Sequence, residues 1–447
     1  MRRSSRRASM AAVVVFALAG ALTFATASTA GATLPNLSSP AAIEAYLVSI
    51  GVNPADAVWQ ETHKNYAGPG CPGAGWNCVQ ATTPIVQVAD AGGTNLFACG
   101  GLDCVVVQVA LSGGQNGAGC LRGDNQSNDQ TQVCDITQAN DGNENSTNAA
   151  AIAQNIQQSG GSAQTARQVA RITQENTFGR NIAHINQVIG QTQNTKNAAT
   201  ITQMQEAHQG ATVDQLTTEG DNTSNVTQRQ GQSQRATKAT TSITQDQNTD
   251  PTFANNDPSC DLPSDLAFDQ DKNQCADVDQ LSNTTPLVGG SEDSGLRQLI
   301  NESQLASASP AISQSQGEGT FPSGQLGTVD QLSSGVATSQ ADEDMFQTQN
   351  ASGVSALTQT QFTGDPRCCQ TQGTNTADSA NLDQSTNQTA SSPTAVQVYT
   401  LTGICTSTGA CNVQQSATVD GGEPDTNSCT DSPCFITTTN ADITNSR

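Results

Sequence analysis

The chain has 447 residues, a formal net charge of −23, 13% charged residues and 3% aromatic residues. So acidic a chain excludes nucleic-acid binding driven by charge, which needs Lys and Arg against phosphate. Its aromatic and aliphatic content is too low to fill a large ordinary core, which leaves disorder or a fold whose interior is partly polar.

Arg2, Arg3, Arg6 and Arg7 precede an apolar run from Met10 to Phe24, and Ala30-Gly31-Ala32 follows as a cleavage site. The pattern predicts a secretory signal peptide over 1–32, because the run is too short to span a membrane. No later segment is apolar enough to span, so the mature chain is expected to be secreted, extracellular or held at a cell surface. Residues 33–66 read as a short helical segment. Ser39-Pro40 opens a helix with Ile43, Tyr46, Leu47 and Ile50 on its apolar face, and Asn53-Pro54 starts a second one through Trp59. Residues 67–135 form a Cys-rich N-terminal β region with apolar strand runs at 84–88 and 104–107.

Residues 136–247 carry a returning pattern. Residues 181–187 read Asn-Ile-Ala-His-Ile-Asn-Gln and residues 197–203 read Asn-Ala-Ala-Thr-Ile-Thr-Gln. The beat is Asn or Gln, a small residue, an aliphatic and Gln, each two positions apart. A period of two puts alternate side chains on one face of a strand. The beat ends at Gln108, Gln138, Gln154, Gln174, Gln187, Gln203, Gln215, Gln228, Gln245, Gln280, Gln331, Gln359, Gln384 and Gln415. On the patterned face the only charged residue is Asp378, whereas Asp103, Asp135, Arg171, Asp214, Asp277, Asp279, Asp330 and Asp383 fall on the opposite face. Burying an unpaired charge is costly, so the patterned face points inward. Its amides are then expected to stack as ladders on successive strands: Asn148, Gln154, Gln174, Asn181, Gln187, Asn197, Gln203, Gln215, Gln228 and Gln245. A helical alternative exists over 147–190, but the same motif recurs among Thr, Ser, Asn and Gly, which are poor helix formers.

Residues 248–275 interrupt the pattern as an acidic, Cys-containing loop. A second, degenerate repeat block covers 276–400, and a Cys-rich C-terminal cap covers 401–447. The cysteines fall in close pairs, Cys71/Cys78, Cys99/Cys104, Cys120/Cys134, Cys260/Cys275, Cys405/Cys411 and Cys429/Cys434. In an exported chain they are candidates for disulfides. With three His and no paired C-x-x-C, structural zinc is not expected. Asp269, Asp271 and Asn273 have the one-three-five spacing of a calcium loop, without its Gly or its terminal Glu. No catalytic motif stands out, and no cofactor is expected.

The triples Asn148/Ala150/Gln154, Asn181/Ala183/Gln187 and Asn197/Ala199/Gln203, with Gly179 ahead of Asn181, are similar to the curlin repeat of bacterial extracellular fibres. The resemblance covers about 130–250, and 276–415 more loosely. It implies a secreted β-solenoid subunit able to assemble into surface or matrix fibres. The expected fold class is thus mainly β: a β-solenoid of stacked short strands with inward Gln/Asn ladders, a small N-terminal helical segment and Cys-rich caps. The expected role is a structural or adhesive protein of the cell surface or extracellular matrix, partnered by copies of itself or by cell-surface polymers. The alternative is a secreted β-solenoid that binds or cleaves a polysaccharide.

Overall fold

The computed structural model describes residues 37–444, apart from 38, 50–51, 81–83, 101–102, 126–129, 142–144, 162, 248–273, 283–290, 317–324, 334–335, 365–367, 373–378, 393–394, 407–409 and 431–433. Strands dominate it. Among the described residues there is one α-helix, Pro40–Ser49 (α1).

The strands build two parallel ladders. The first runs through Val58–Glu61 (β1), Ile85–Ala89 (β4), Cys104–Ala110 (β6), Gln130–Asn140 (β8), the first half of Ala163–Lys196 (β10) and the first half of Thr200–Thr237 (β11). It continues through Gln274–Ser282 (β13), Gln325–Ser333 (β15), Cys368–Gln372 (β17) and Val396–Thr406 (β19). The second runs through Asn77–Val79 (β3), Lys64–Ala67 (β2), Thr94–Gly100 (β5), Gln115–Asn125 (β7), Thr147–Ser159 (β9) and the second halves of β10 and β11. It ends in Ser291–Gln316 (β14), Val336–Gly364 (β16), Ser379–Ala390 (β18) and Ala410–Val419 (β20). Ser242–Gln247 (β12) lies on the start of β11, and its row continues through the ends of β14 and β16 to β19. Neighbouring strands in such a sheet lie about 4.8 Å apart.

Two strands break the parallel rule. Asp425–Cys429 (β21) and Cys434–Thr444 (β22) run antiparallel on β20 and β19. The sheet is open: among the described strands, β1 pairs only with β4 and β3 only with β2.

Alternation decides the faces. Along 181–189 the odd positions are buried while His184 and Asn186 are exposed. The interior lies between the two ladders and holds Ile136, Ile152, Ile172, Ile185, Val213 and Val226. The segment 147–190 is strand throughout its described length, not helix, because its inward Gln and Asn amides bond to those of neighbouring levels. Gly179 marks a corner inside β10, with φ 111°. A Cβ there would lie 2.2 Å from the Ser146 carbonyl oxygen, and one at its register partner Gly220 would lie 1.9 Å from the Gly179 oxygen. Backbone stacks directly on backbone at this corner, which only glycine permits.

Helix α1 covers the outer face of the first ladder. Ile43 and Leu47 pack with Leu37 against Val86, Val107 and Val109, and the Tyr46 hydroxyl meets Thr137 Oγ1 at 2.5 Å. The second short helix expected through Trp59 is only a 3-10 turn, Pro54–Asp56, in which Asn53 Oδ1 accepts from the Ala55 N–H at 3.2 Å. Val58–Glu61 instead joins the ladder, because Gln60 supplies the first buried amide of a column.

Candidate functional site

The interior amides form continuous columns. In the first ladder Gln60, Gln87, Gln108, Gln138, Gln174, Gln215, Gln280 and Gln331 stack in register, and each Nε2 donates to the preceding Oε1 at 2.7–2.8 Å. The second N–H crosses the core to a carbonyl of the facing ladder. Gln138 reaches Ala149 O, Gln174 reaches Ile182 O and Gln215 reaches Thr223 O, each at 3.0 Å. Gln60 closes the column by donating to the Tyr66 and Asn77 carbonyls.

An Asn column faces it. Asn65, Asn95, Asn116, Asn148, Asn181 and Asn222 are linked at 2.8–3.1 Å, each donating to the next. In the second ladder Gln187 donates to Gln154, Gln228 to Gln187 and Gln298 to Gln228 at 2.8–2.9 Å. A third column joins Gln203, Gln245, Gln314 and Gln359 at 2.6–2.8 Å. Every amide of these columns is desolvated, and every bond replaces one that water would have made, so each contributes about 1 kcal/mol net. Their larger effect is on register, since a one-residue slip would turn the whole column outward.

Asn197 departs from the expected set. It sits in the turn between β10 and β11 with φ 57°, exposed to solvent. Asn tolerates this left-handed conformation better than most residues. Ile201 and Gln203 keep their inward positions. The inner face is also less free of charge than its motif-bearing strands suggest. Arg122 takes the position next to Gln154 in register and pairs with Asp103, while Glu292, Glu302 and Glu343 are 1%, 0% and 3% exposed. Asp378 lies outside the described residues, as do the calcium candidates Asp269, Asp271 and Asn273.

Three cysteine pairs are at disulfide distance: Cys71 with Cys78, Cys99 with Cys104, and Cys120 with Cys134. The last two stack on each other inside the core, because Cys99 is the register partner of Cys120 and Cys104 of Cys134. Cys275, Cys411 and Cys429 are disulfide-bonded, and Cys405 lies opposite Cys434 in backbone register. Cys260 falls outside the described residues.

Ionisable groups elsewhere do not converge on one reaction centre among the described residues. His63 and Asp90 meet at 2.5 Å on the surface. His208, which nothing in its sequence neighbourhood marked as buried, is only 7% exposed and lies 3.9 Å from Glu206. Under α1, burial pushes the Tyr46 hydroxyl and the Asp135 carboxyl up, with Arg171 3.9 Å from Asp135 pulling the latter back. On the outer face of the second ladder burial raises Asp383, reinforced by Asp342 and Asp344. The same face carries an open trough of about 730 Å3 floored by Ala98, Gly100, Gly119, Ala151 and Ala153, with His184, Asn225 and Arg229 at one end. No Phe, Tyr or Trp lines it.

No described helix is long and apolar enough to cross a membrane. Compared with family models, curated proteins and solved structures, the chain finds no match in any of the three.

Proposed function

We propose that this chain is a secreted structural or adhesive protein of the cell surface or extracellular matrix. In this reading the two ladders are the walls of a curlin-like β-solenoid, with two strands per turn. The observation that carries it is the unbroken glutamine column from Gln60 to Gln331, which commits the interior to holding successive levels in register. A protein built this way gains rigidity along its stack and offers long, repetitive outer faces. The antiparallel strands β21 and β22 end the parallel template at one end, which favours a discrete rod over a fibre growing at both ends. The polysaccharide alternative has less support, because the trough has no aromatic platform for a sugar ring to stack on.

Immunogold electron microscopy of cells producing the protein, with sedimentation of the purified mature chain, tests the proposal. The expected result is label on the surface or in the matrix, with an elongated sedimentation profile. Label confined to the cell interior, or a compact particle, would overturn it.

A further inference from the structure

The outer face of the second ladder changes character along the stack. Two neighbouring columns of outward positions run through β5, β7, β9 and the second halves of β10 and β11. One is Ala98, Gly119, Ala151, His184 and Asn225, and the other is Gly100, Leu121, Ala153, Asn186 and Thr227. At the first three levels both columns are apolar or bare, and at the last two they are polar. These residues line the trough of about 730 Å3, with Arg229 at its polar end. The columns span four strand spacings, roughly 19 Å.

The fold does not call for the glycines of the floor. A Cβ at Gly100 would meet nothing nearer than the Leu121 oxygen at 3.8 Å, and one at Gly119 nothing nearer than the Phe97 oxygen at 4.0 Å. Neither has a positive φ. Gly117, by contrast, lies under Leu96, whose Cδ2 would stand 2.9 Å from an added Cβ. Glycine inside a strand weakens it, and where the chain's own packing does not demand one it marks the close approach of something else. Leu121, on the same floor, is 68% exposed, more than any other large apolar side chain among the described residues. An exposed apolar surface next to a concavity marks a binding site. On the first ladder α1 covers the outer face, with Ile43 and Leu47 over Val86 and Val107.

Charge selects the ligand. The chain has 40 acidic residues against 17 Lys and Arg, yet none of the described residues lining the trough is acidic, while His184 and Arg229 are basic. Arg229 is exposed, and its register neighbours are Val188 and Leu299. Arg297, the register partner of Thr227, has Asp342 as its next neighbour, so Arg229 is the guanidinium that the trough presents. A guanidinium takes a carboxylate through two parallel N–H bonds. The Asn186 and Asn225 amides and the Thr227 hydroxyl supply further donors beside it.

We propose that the trough binds a long-chain fatty acid, its tail lying along the stack on the Ala and Gly floor and its carboxylate at Arg229. A second copy of the chain suits the face less well, because two chains of net charge −23 repel each other.

The test is isothermal titration calorimetry of the purified protein with laurate below its micelle concentration, against dodecyltrimethylammonium, which has the same tail and the opposite charge. The acidic chain attracts the cation everywhere else, so a preference for laurate isolates the trough. The expected result is saturable binding of one laurate and weaker binding of the cation. Arg229→Gln should weaken laurate by about tenfold or more, the value of a charge-assisted hydrogen bond. Ala151→Asp, which puts a carboxylate on the exposed floor, should abolish laurate binding, and the remote exposed-cation control Lys196→Gln should bind as the parent does. Ala151 and Arg229 both face solvent, so melting midpoints close to the parent's should show that the variants fold. No saturable laurate binding, a preference for the cation, or parental affinity in Arg229→Gln would overturn the proposal. Dimerisation in sedimentation that Ala151→Asp abolishes, without laurate binding to the parent, would overturn it too and assign the face to a second copy.

Discussion

Gln203 and Thr202 are adjacent in β11 and differ in what they face. Gln203 is fully buried, whereas Thr202 is exposed. Gln203 Oε1 accepts from Gln245 Nε2 at 2.8 Å, and its own Nε2 donates to Arg235 O at 3.2 Å and Thr195 Oγ1 at 3.3 Å. Gln203→Ala removes the acceptor of a buried amide and the donor to a carbonyl. Gln245 keeps one longer contact, to Leu305 O at 3.4 Å, which softens the loss. One strongly held partner gone and one weakly held partner gone place the cost at about 2 kcal/mol, inside the roughly 1–3 kcal/mol for an unsatisfied buried polar group. Thr202→Ala should stay within about 0.5 kcal/mol. Equilibrium denaturation of both variants, with hydrogen exchange over 200–205 to catch local opening, is the assay. Equal costs, or a larger cost at Thr202, would refute the assigned face.

Further consequences are independent of that one. Gly179→Val places a Cβ against the Ser146 oxygen at a left-handed φ, and thermal unfolding should show a loss of at least about 2 kcal/mol. Replacing both Cys120 and Cys134 by Ser opens a loop with a sequence separation of 14, and the chain-entropy model gives a loss of about 3 kcal/mol in chemical denaturation. Burial raises the Asp135 carboxyl against the pull of Arg171, so its contribution is fully present below the unfolded Asp value and is lost as pH rises through the folded one. Asp135→Asn should remove that part of the pH dependence, and a pH series of melting midpoints identical to the parent would contradict the assignment.

Strand identity and facing were legible in the sequence because a period of two is a backbone property that short motifs preserve. The grouping of strands was not. Gln138, Gln174 and Gln215 belong to one ladder, Gln154, Gln187 and Gln228 to the other, and Gln203 and Gln245 to a third column, yet all carry the same beat. Their spacings are irregular because levels differ in length, as between Gln215 and Gln280, which stack with a separation of 65 residues. Asn197 looked like a ladder member because its motif is complete, but the chain needs a turn there, and Asn suits one. Glu302 and Glu343 carry the ladder without the motif, so only the register reveals them. His208 is buried although it stands outside the repeating beat, a property set by the fold around it.

The central claim is that the glutamine and asparagine side chains are ordered, bonded and shielded inside a stack of in-register strands. Side-chain amide hydrogen exchange, followed by nuclear magnetic resonance on the purified protein, measures this directly. The account predicts strong protection for the amides of Gln138, Gln174, Gln215, Asn148 and Asn181 and rapid exchange for exposed Asn197. Uniformly fast exchange across these amides, at the rate of an unfolded chain, would contradict it.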